Sequence, residues 1–402
     1  MSDEAAPGPA PWLLALTLVL LAANLRVVVI TVGPVLRDVQ ADLGMSDTVA
    51  GALFTLPVLV FGTLGFGVSG LVRRISVNGA LLTALGLIVV GTALRGVSPT
   101  TGWLLAATLV ALIGIAVGNV LAPTLVRAWF PTQIGRASAW YMTAMAIGTA
   151  GPAALVVPAA EILGGWRPAL AIWALPAAVA LLAAALVTAR TRPPVEGSQQ
   201  ADSTARAVGR HLRRQPVAWA LAGFLGLQSL EAYTAIGFLP TILRDAGVPA
   251  DRAGTLLAVT VGIGAPIAFL LPRLATRRED QRGFVIALIV CSALGQLGLL
   301  LAPAAAPLVW ALLLGAGSGA FPLALLLITL RTSTTAGTAA LSSLVQGFGY
   351  LLGAAGPVAV GALRDVTGDW RVPLLVLLAL LVPKLLTGLV AARGVVVDAT
   401  GG

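Results

Sequence analysis

Apolar residues along this chain neither alternate nor recur at single-face helical spacing; they run on. Continuous apolar stretches cover residues 12–36, 48–72, 79–97, 102–127, 137–162, 168–189, 217–243, 253–275, 283–302, 307–330, 337–362 and 372–392. At ~18–28 residues each, they match the hydrocarbon thickness crossed by an α-helix and exceed the length of a barrel strand. Backbone polar groups inside a bilayer must be satisfied within the segment, which helices do. The pattern therefore predicts an all-α membrane protein with twelve transmembrane helices.

Composition agrees. Of 402 residues, 58% are hydrophobic and 10% charged, whereas a soluble domain carries about 25% charged residues. The net charge of +9 raises nucleic acid as a partner, and its distribution removes it. With the N-terminus placed in the cytoplasm, sixteen arginines fall on cytoplasmic segments and seven on the opposite side (Arg37, Arg95, Arg167, Arg244, Arg252, Arg364 and Arg371). That bias is the positive-inside rule. It predicts a multi-pass plasma-membrane protein with both termini cytoplasmic, and no nucleic-acid partner.

The opening Met1-Ser-Asp-Glu4 lacks a basic n-region, so no cleavable signal is expected. Cys291 is the one cysteine and lies in a spanning run, which excludes a disulfide within the monomer. His211, the one histidine, reads as a solvated linker residue. Metal ligands do not cluster, and no phosphate-binding glycine loop with a lysine occurs. Neither a metal, nor a cofactor, nor direct ATP drive is expected.

The chain repeats itself. Gly148-Thr-Ala-Gly151-Pro152 followed by Gly165-Trp166-Arg167 reappears as Gly353-Ala-Ala-Gly356-Pro357 followed by Gly368-Asp-Trp370-Arg371. Gly114 and Gly118 match Gly315 and Gly319, and Asp42 to Gly51 matches Asp245 to Gly254. Six spans separate the copies, so both cross the membrane in the same direction. A parallel repeat of this kind predicts a substrate site near the midplane, between the halves. The expected organisation is an N-terminal six-helix half (1–189), a polar cytoplasmic linker (190–216) and a C-terminal six-helix half (217–402).

Two parallel halves of six helices resemble the major facilitator superfamily. Local signatures narrow the likeness to the cyanate/2-nitroimidazole transporter family. They are Asn24-Leu-Arg26, Gly118-Asn119-Val-Leu-Ala-Pro123 with Phe130-Pro131, Gly226-Leu-Gln228-Ser-Leu230 with Tyr233, Leu239-Pro240, Ala320-Phe-Pro322, and Gln346 to Tyr350 with Gly356-Pro357. The resemblance runs from about residue 20 to 390 and implies a secondary transporter, not an enzyme, that moves a small solute by alternating access. Two departures stand out. The stretch Gly70 to Asn78 lacks the acid that the superfamily carries after its second helix, and Glu231 occupies a position where the family has an apolar or neutral residue.

The chemistry lies in the few polar residues of the apolar runs. Arg26 sits mid-span in the first run with Asn24. A guanidinium keeps its charge at any physiological pH, and placing it mid-membrane costs ~3 kcal/mol on insertion scales. Such a residue is by default functional, and its sign suggests an anion. Glu231 is the acid of the membrane interior, and aligning Pro34 with Pro240 sets it within one residue of the depth of Arg26. Three roles compete for Glu231: a structural pair with Arg26, a proton carrier whose pKa balances burial against a nearby cation, or a contact for a cationic substrate.

Asn24, Asn119, Gln228, Tyr233, Gln346 and Tyr350 are expected to line a cavity and orient the solute, with Tyr141 buried nearby. Interhelical hydrogen bonding is the plainer alternative for each. Lys384, ~12 Å from its helix end, is expected to snorkel towards the surface. The expected protein is thus a monomeric secondary transporter for a small polar, anionic solute, cyanate-like or nitroimidazole-like, coupled to protons. Competing readings are a proton-driven exporter of drug-like or cationic compounds and a non-transporting membrane receptor.

Overall fold

The computed structural model describes residues 10–189 and 211–397. Most of the expected linker, 190–210, lies outside them, as do both extreme termini. All regular elements among the described residues are helices. In chain order they are α1 (Pro11–Asn24), α2 (Val27–Ile30), α3 (Val32–Leu43), α4 (Asp47–Arg95), α5 (Thr101–Trp129), α6 (Ile134–Leu163), α7 (Trp166–Ala171) and α8 (Ala174–Thr188). There follow α9 (Pro216–Asp245), α10 (Ala250–Gly262), α11 (Gly264–Ala275), α12 (Arg282–Leu301), α13 (Pro307–Gly317), α14 (Ala320–Leu330), α15 (Thr335–Thr367) and α16 (Arg371–Ala391).

Ten segments among the described residues are long and apolar enough to cross a membrane. The remaining two expected spans fall outside that set for different reasons. The stretch Asp47–Thr63 is the described apolar part of the expected second span, and the helix α4 to which it belongs continues past it. The helix α9 has 30 residues, and its apolar run is diluted by Gln228, Ser229, Glu231 and Thr234. Within α4, Ser76 takes φ 63° and ψ 161°, so the element is two helices meeting at a kink.

The chain divides into two compact units, Met1–Val32 with Leu64–Gly197, and Gly33–Thr63 with Ser198–Gly402. The stretch 33–63 thus groups with the C-terminal helices, although the chain order assigns it to the N-terminal half. In the first unit, close packing rests on small residues that let backbones approach. A Cβ on Gly91 would meet the backbone and side chain of Ala111, and one on Gly114 would meet the Ala84 carbonyl. Both seat α5 on the second half of α4.

In the second unit, the stretch 33–63 docks on α9 and α15. A side chain at Gly33 would collide with the Ile236 carbonyl, and one at Gly51 with that of Pro357. Polar contacts fix the ends. Asp365 accepts from the backbone N–H groups of Asp47 (2.9 Å) and Thr48 (2.8 Å), satisfying donors that a helix start leaves open. Arg37 pairs with Asp245, which also accepts from the Trp370 indole at 2.9 Å.

At another end of this unit Arg331 donates to the carbonyls of Ala391 and Ala392, both at 3.0 Å, and to the Gln281 side chain. Those carbonyls end α16, so the guanidinium caps it. Burial pulls its pKa below the ordinary arginine value, with Asp280 opposing. His211, expected in solvent, is half-buried with its ring 3.0 Å from the Gln215 amide, beside fully buried Leu212.

Candidate functional site

In the first unit the polar residues gather where the first span breaks. The chain leaves helical geometry at Arg26, at φ −124° and ψ −16°, while Leu25 before it stays in the helical region. The cause is legible in the residues that follow. Val27 to Val32 are six consecutive β-branched residues, each stiff and poor in helices. Pro34 then lacks the N–H that the Ile30 carbonyl would receive. Thr31 further competes by donating to the Val27 carbonyl at 2.9 Å.

Two neighbouring helices clamp the segment before the break. Gly148 of α6 abuts the backbone of Ala23, and Gly118 of α5 faces the side chains of Leu21 and Leu25. Half-buried Asn119 follows Gly118 at that level, and half-buried Tyr141 lies near enough for the Arg26 charge to act on its hydroxyl. Asn24 is buried and donates to the Leu20 carbonyl at 2.8 Å, so its amide is used within its own helix. One turn beyond Gly148, a Cβ on Gly151 would touch nothing within 4 Å.

The second unit treats its buried acid differently. The Glu231 carboxylate receives Lys384 Nζ of α16 on Oε2 and Gln296 Nε2 of α12 on Oε1, the latter at 3.0 Å. Lys384 is 1% exposed. The expected snorkelling is thus overturned: at this depth a carboxylate within reach stabilises the ammonium more directly than bending the side chain to a distant surface. Within the second unit, then, the carboxylate's partners are Lys384 and Gln296.

The remaining α9 candidates separate onto two faces. Gln228, one turn before Glu231, belongs to the side facing α16, where Phe224 meets Gly388 and Gly223 meets Thr387. Ser229 and Thr234 face α15, against Gly353 and Gly356. Tyr233 is buried on α9, and Tyr350 on α15 lies against Gly62. Gln346 donates to Ser342 at 2.6 Å within α15. Buried acceptor atoms of Gln228 and Gln296, and the hydroxyls of Ser229, Thr234 and Ser292, have no hydrogen-bond partner. Such atoms are uncommon and costly in a folded core.

Sequence reasoning missed Gln296 and the Glu231–Lys384 pair. The available signal was arithmetic: Lys384 is the chain's one lysine, set mid-span, and Glu231 is the acid of the membrane interior. It also placed Arg95 among the charges of the outer loops. Arg95 is fully buried, and none of its guanidinium nitrogens has a hydrogen-bond partner among the described residues. The hydroxyls of Thr92, one turn earlier, and Thr108 on α5 are likewise unsatisfied. Among the described residues no metal-binding group of His, Cys, Asp or Glu occurs.

Comparison with known proteins adds the lineage. Residues 14–357 match the family model described as Major Facilitator Superfamily. The chain is 35% identical over 380 residues to the 2-nitroimidazole transporter of Escherichia coli (strain K12), covering 94% of each. It is 31% identical over 358 residues to the cyanate transport protein CynX of the same organism, covering 88% of this chain and 91% of that one. The crystal structure of a bacterial homolog to the human lysosomal transporter Spinster, inward-facing and occupied, superposes with a TM-score of 0.78 at 17% identity, covering 96% of this chain and 98% of that chain. That likeness concerns the fold alone.

Proposed function

The chain belongs to the major facilitator superfamily, and from that premise we propose that it carries a small polar, anionic solute across the plasma membrane by alternating access. It is a multi-pass membrane transporter and not an enzyme. The observation that carries the substrate class is Arg26, a permanent charge at a break in its helix. Tyr141, Asn119 and Asn24 supply neutral hydrogen-bonding groups on the same stretch. Cyanate and 2-nitroimidazole, which name the two relatives, are the first solutes to try. Tyr233, Gln228, Gln346 and Tyr350 are proposed as contributors from the second unit, with both termini in the cytoplasm.

Glu231 is proposed as the proton-coupling residue. Its carboxylate is held by Lys384 and Gln296, so a proton delivered to it would dissolve the ion pair with Lys384. The competing reading, a cationic substrate held by Glu231, would require that substrate to displace Lys384. The structural reading of the pair predicts instead that its removal alters stability and leaves coupling untouched.

The deciding measurement is uptake into proteoliposomes. Arg26→Ala should lower flux of the true substrate by about 100-fold, a typical consequence of removing one partner from a buried charged contact, while the protein stays folded in the membrane. Near-normal flux in that variant would refute the anion contact. Glu231→Gln should make flux indifferent to an imposed pH gradient, and an unchanged pH response would remove it from the coupling step.

A further inference from the structure

A groove of about 550 Å³ lies on the second unit between two of its broken spans. One wall is Ile263, Pro266, Ile267 and Leu270, and the other is Val309, Leu312, Leu313 and Ala316. Each wall follows the i, i+3, i+4, i+7 spacing of a single helix face. All eight residues are apolar, and both spans belong to the membrane-crossing set. Water gains nothing from such a lining.

In each span the helical ladder is interrupted beside the groove while the backbone angles stay helical: at Ile263, between α10 and α11, and at Ser318–Gly319, between α13 and α14. The breaks adjoin: Ile263 packs on Gly315, Ile267 on Gly319, and Gly264 faces the Ser318 hydroxyl.

The face of α11 that lines the groove does not stay apolar. Its next position after Leu270 is Arg273, whose guanidinium lies 3.6 Å over the exposed Phe269 ring. Arg277 follows in the turn beyond the helix end. Both arginines are exposed, and neither makes an ion pair with a described residue. Asp280, further along the loop, is engaged by Arg282 at 3.7 Å. An apolar channel inside the membrane with two cationic heads at one mouth has the chemistry of an anionic amphiphile turned inside out.

We propose that this groove is a binding site for a phospholipid with an anionic headgroup, one acyl chain lying between α11 and α13 and the phosphate against Arg273 and Arg277. A chain seated there contacts the segments next to both helix breaks, so occupancy biases whichever arrangement of those breaks forms the groove.

Native mass spectrometry of the full-length protein, purified in mild detergent and mixed with palmitoyl-oleoyl phosphatidylglycerol or phosphatidylcholine, tests this. The wild type should retain phosphatidylglycerol in preference to phosphatidylcholine. Arg273→Gln and Arg277→Gln should each lower that preference about fivefold, the scale of one basic residue at a membrane surface. Ile267→Trp, which fills the groove, should reduce the number of retained lipids by one. Leu312→Trp serves the same purpose from the other wall if the first variant is not monodisperse. Equal retention of both lipids by the wild type, or an unchanged preference in the double Gln variant, would overturn the proposal. So would an unchanged lipid count in both Trp variants.

Discussion

The repeat places glycines at matched positions in α6 and α15, and the two copies use them differently. Gly148 and Gly353 do the same work, bringing a helix onto the backbone of its partner at Ala23 and at Gly226 and Leu230. One turn on, the copies part. A Cβ on Gly356 would collide with Leu230 of α9, whereas one on Gly151 would meet open space. The reason lies in the opposing helices. The α9 segment Tyr233-Thr-Ala-Ile-Gly-Phe238 holds two β-branched residues and stays helical across its Pro240. The corresponding Val27 to Val32 is entirely β-branched and breaks at Arg26. One helix keeps its face and buries its acid against Lys384; the other gives way beside its cation. A duplicated scaffold thus carries its buried acid on an unbroken helix in one unit and its mid-span arginine at a helix break in the other.

The sharpest way to break this comparison is to unpair the closed charge. Lys384→Met should destabilise the protein by about 3–5 kcal/mol, because Glu231 is left as an uncompensated buried ion. Adding Glu231→Gln should recover most of that loss. A thermal melt in detergent reads both, and a single variant as stable as the wild type would mean that the pair is solvated. Smaller effects sharpen the contrast between the glycines. Gly356→Ala should cost about 1–3 kcal/mol through overpacking against Leu230. Gly151→Ala should be neutral or stabilise by up to about 1 kcal/mol, since alanine is the better helix former and nothing stands in its way. If the two alanine variants melt alike, the open space at Gly151 is not a feature of the folded protein.

Much of this architecture was legible in the residues. The all-helical membrane class followed from apolar runs, and the family from motifs such as Asn24-Leu-Arg26 and Ala320-Phe-Pro322. The separate faces of Gln228 with Glu231 and Ser229 with Tyr233 followed from helical spacing. The expected span in α9 is the least apolar because it carries Gln228, Ser229, Glu231 and Thr234. The partner of Glu231 was misjudged for a physical reason. Register within the repeat compares depth along helices, and Lys384 reaches Glu231 across the bundle, from a helix about 150 positions away in sequence. Arg95 was placed in a loop because a helix-end arginine usually faces solvent, and burial depends on which helices close over it.

Sequence alone determined the elements, their number within narrow bounds, the repeat and the kinds of chemistry available, since these depend on hydropathy, propensity and local spacing. Tertiary structure decided which charges meet, which glycines are filled against and which hydroxyls are left unsatisfied. It also grouped residues 33–63 with the C-terminal helices, through contacts such as Gly51 on Pro357 and Asp365 on the start of α4. Those outcomes turn on the lateral arrangement of helices, and a bilayer, equally apolar on every side of a span, leaves that arrangement to packing and to rare polar contacts.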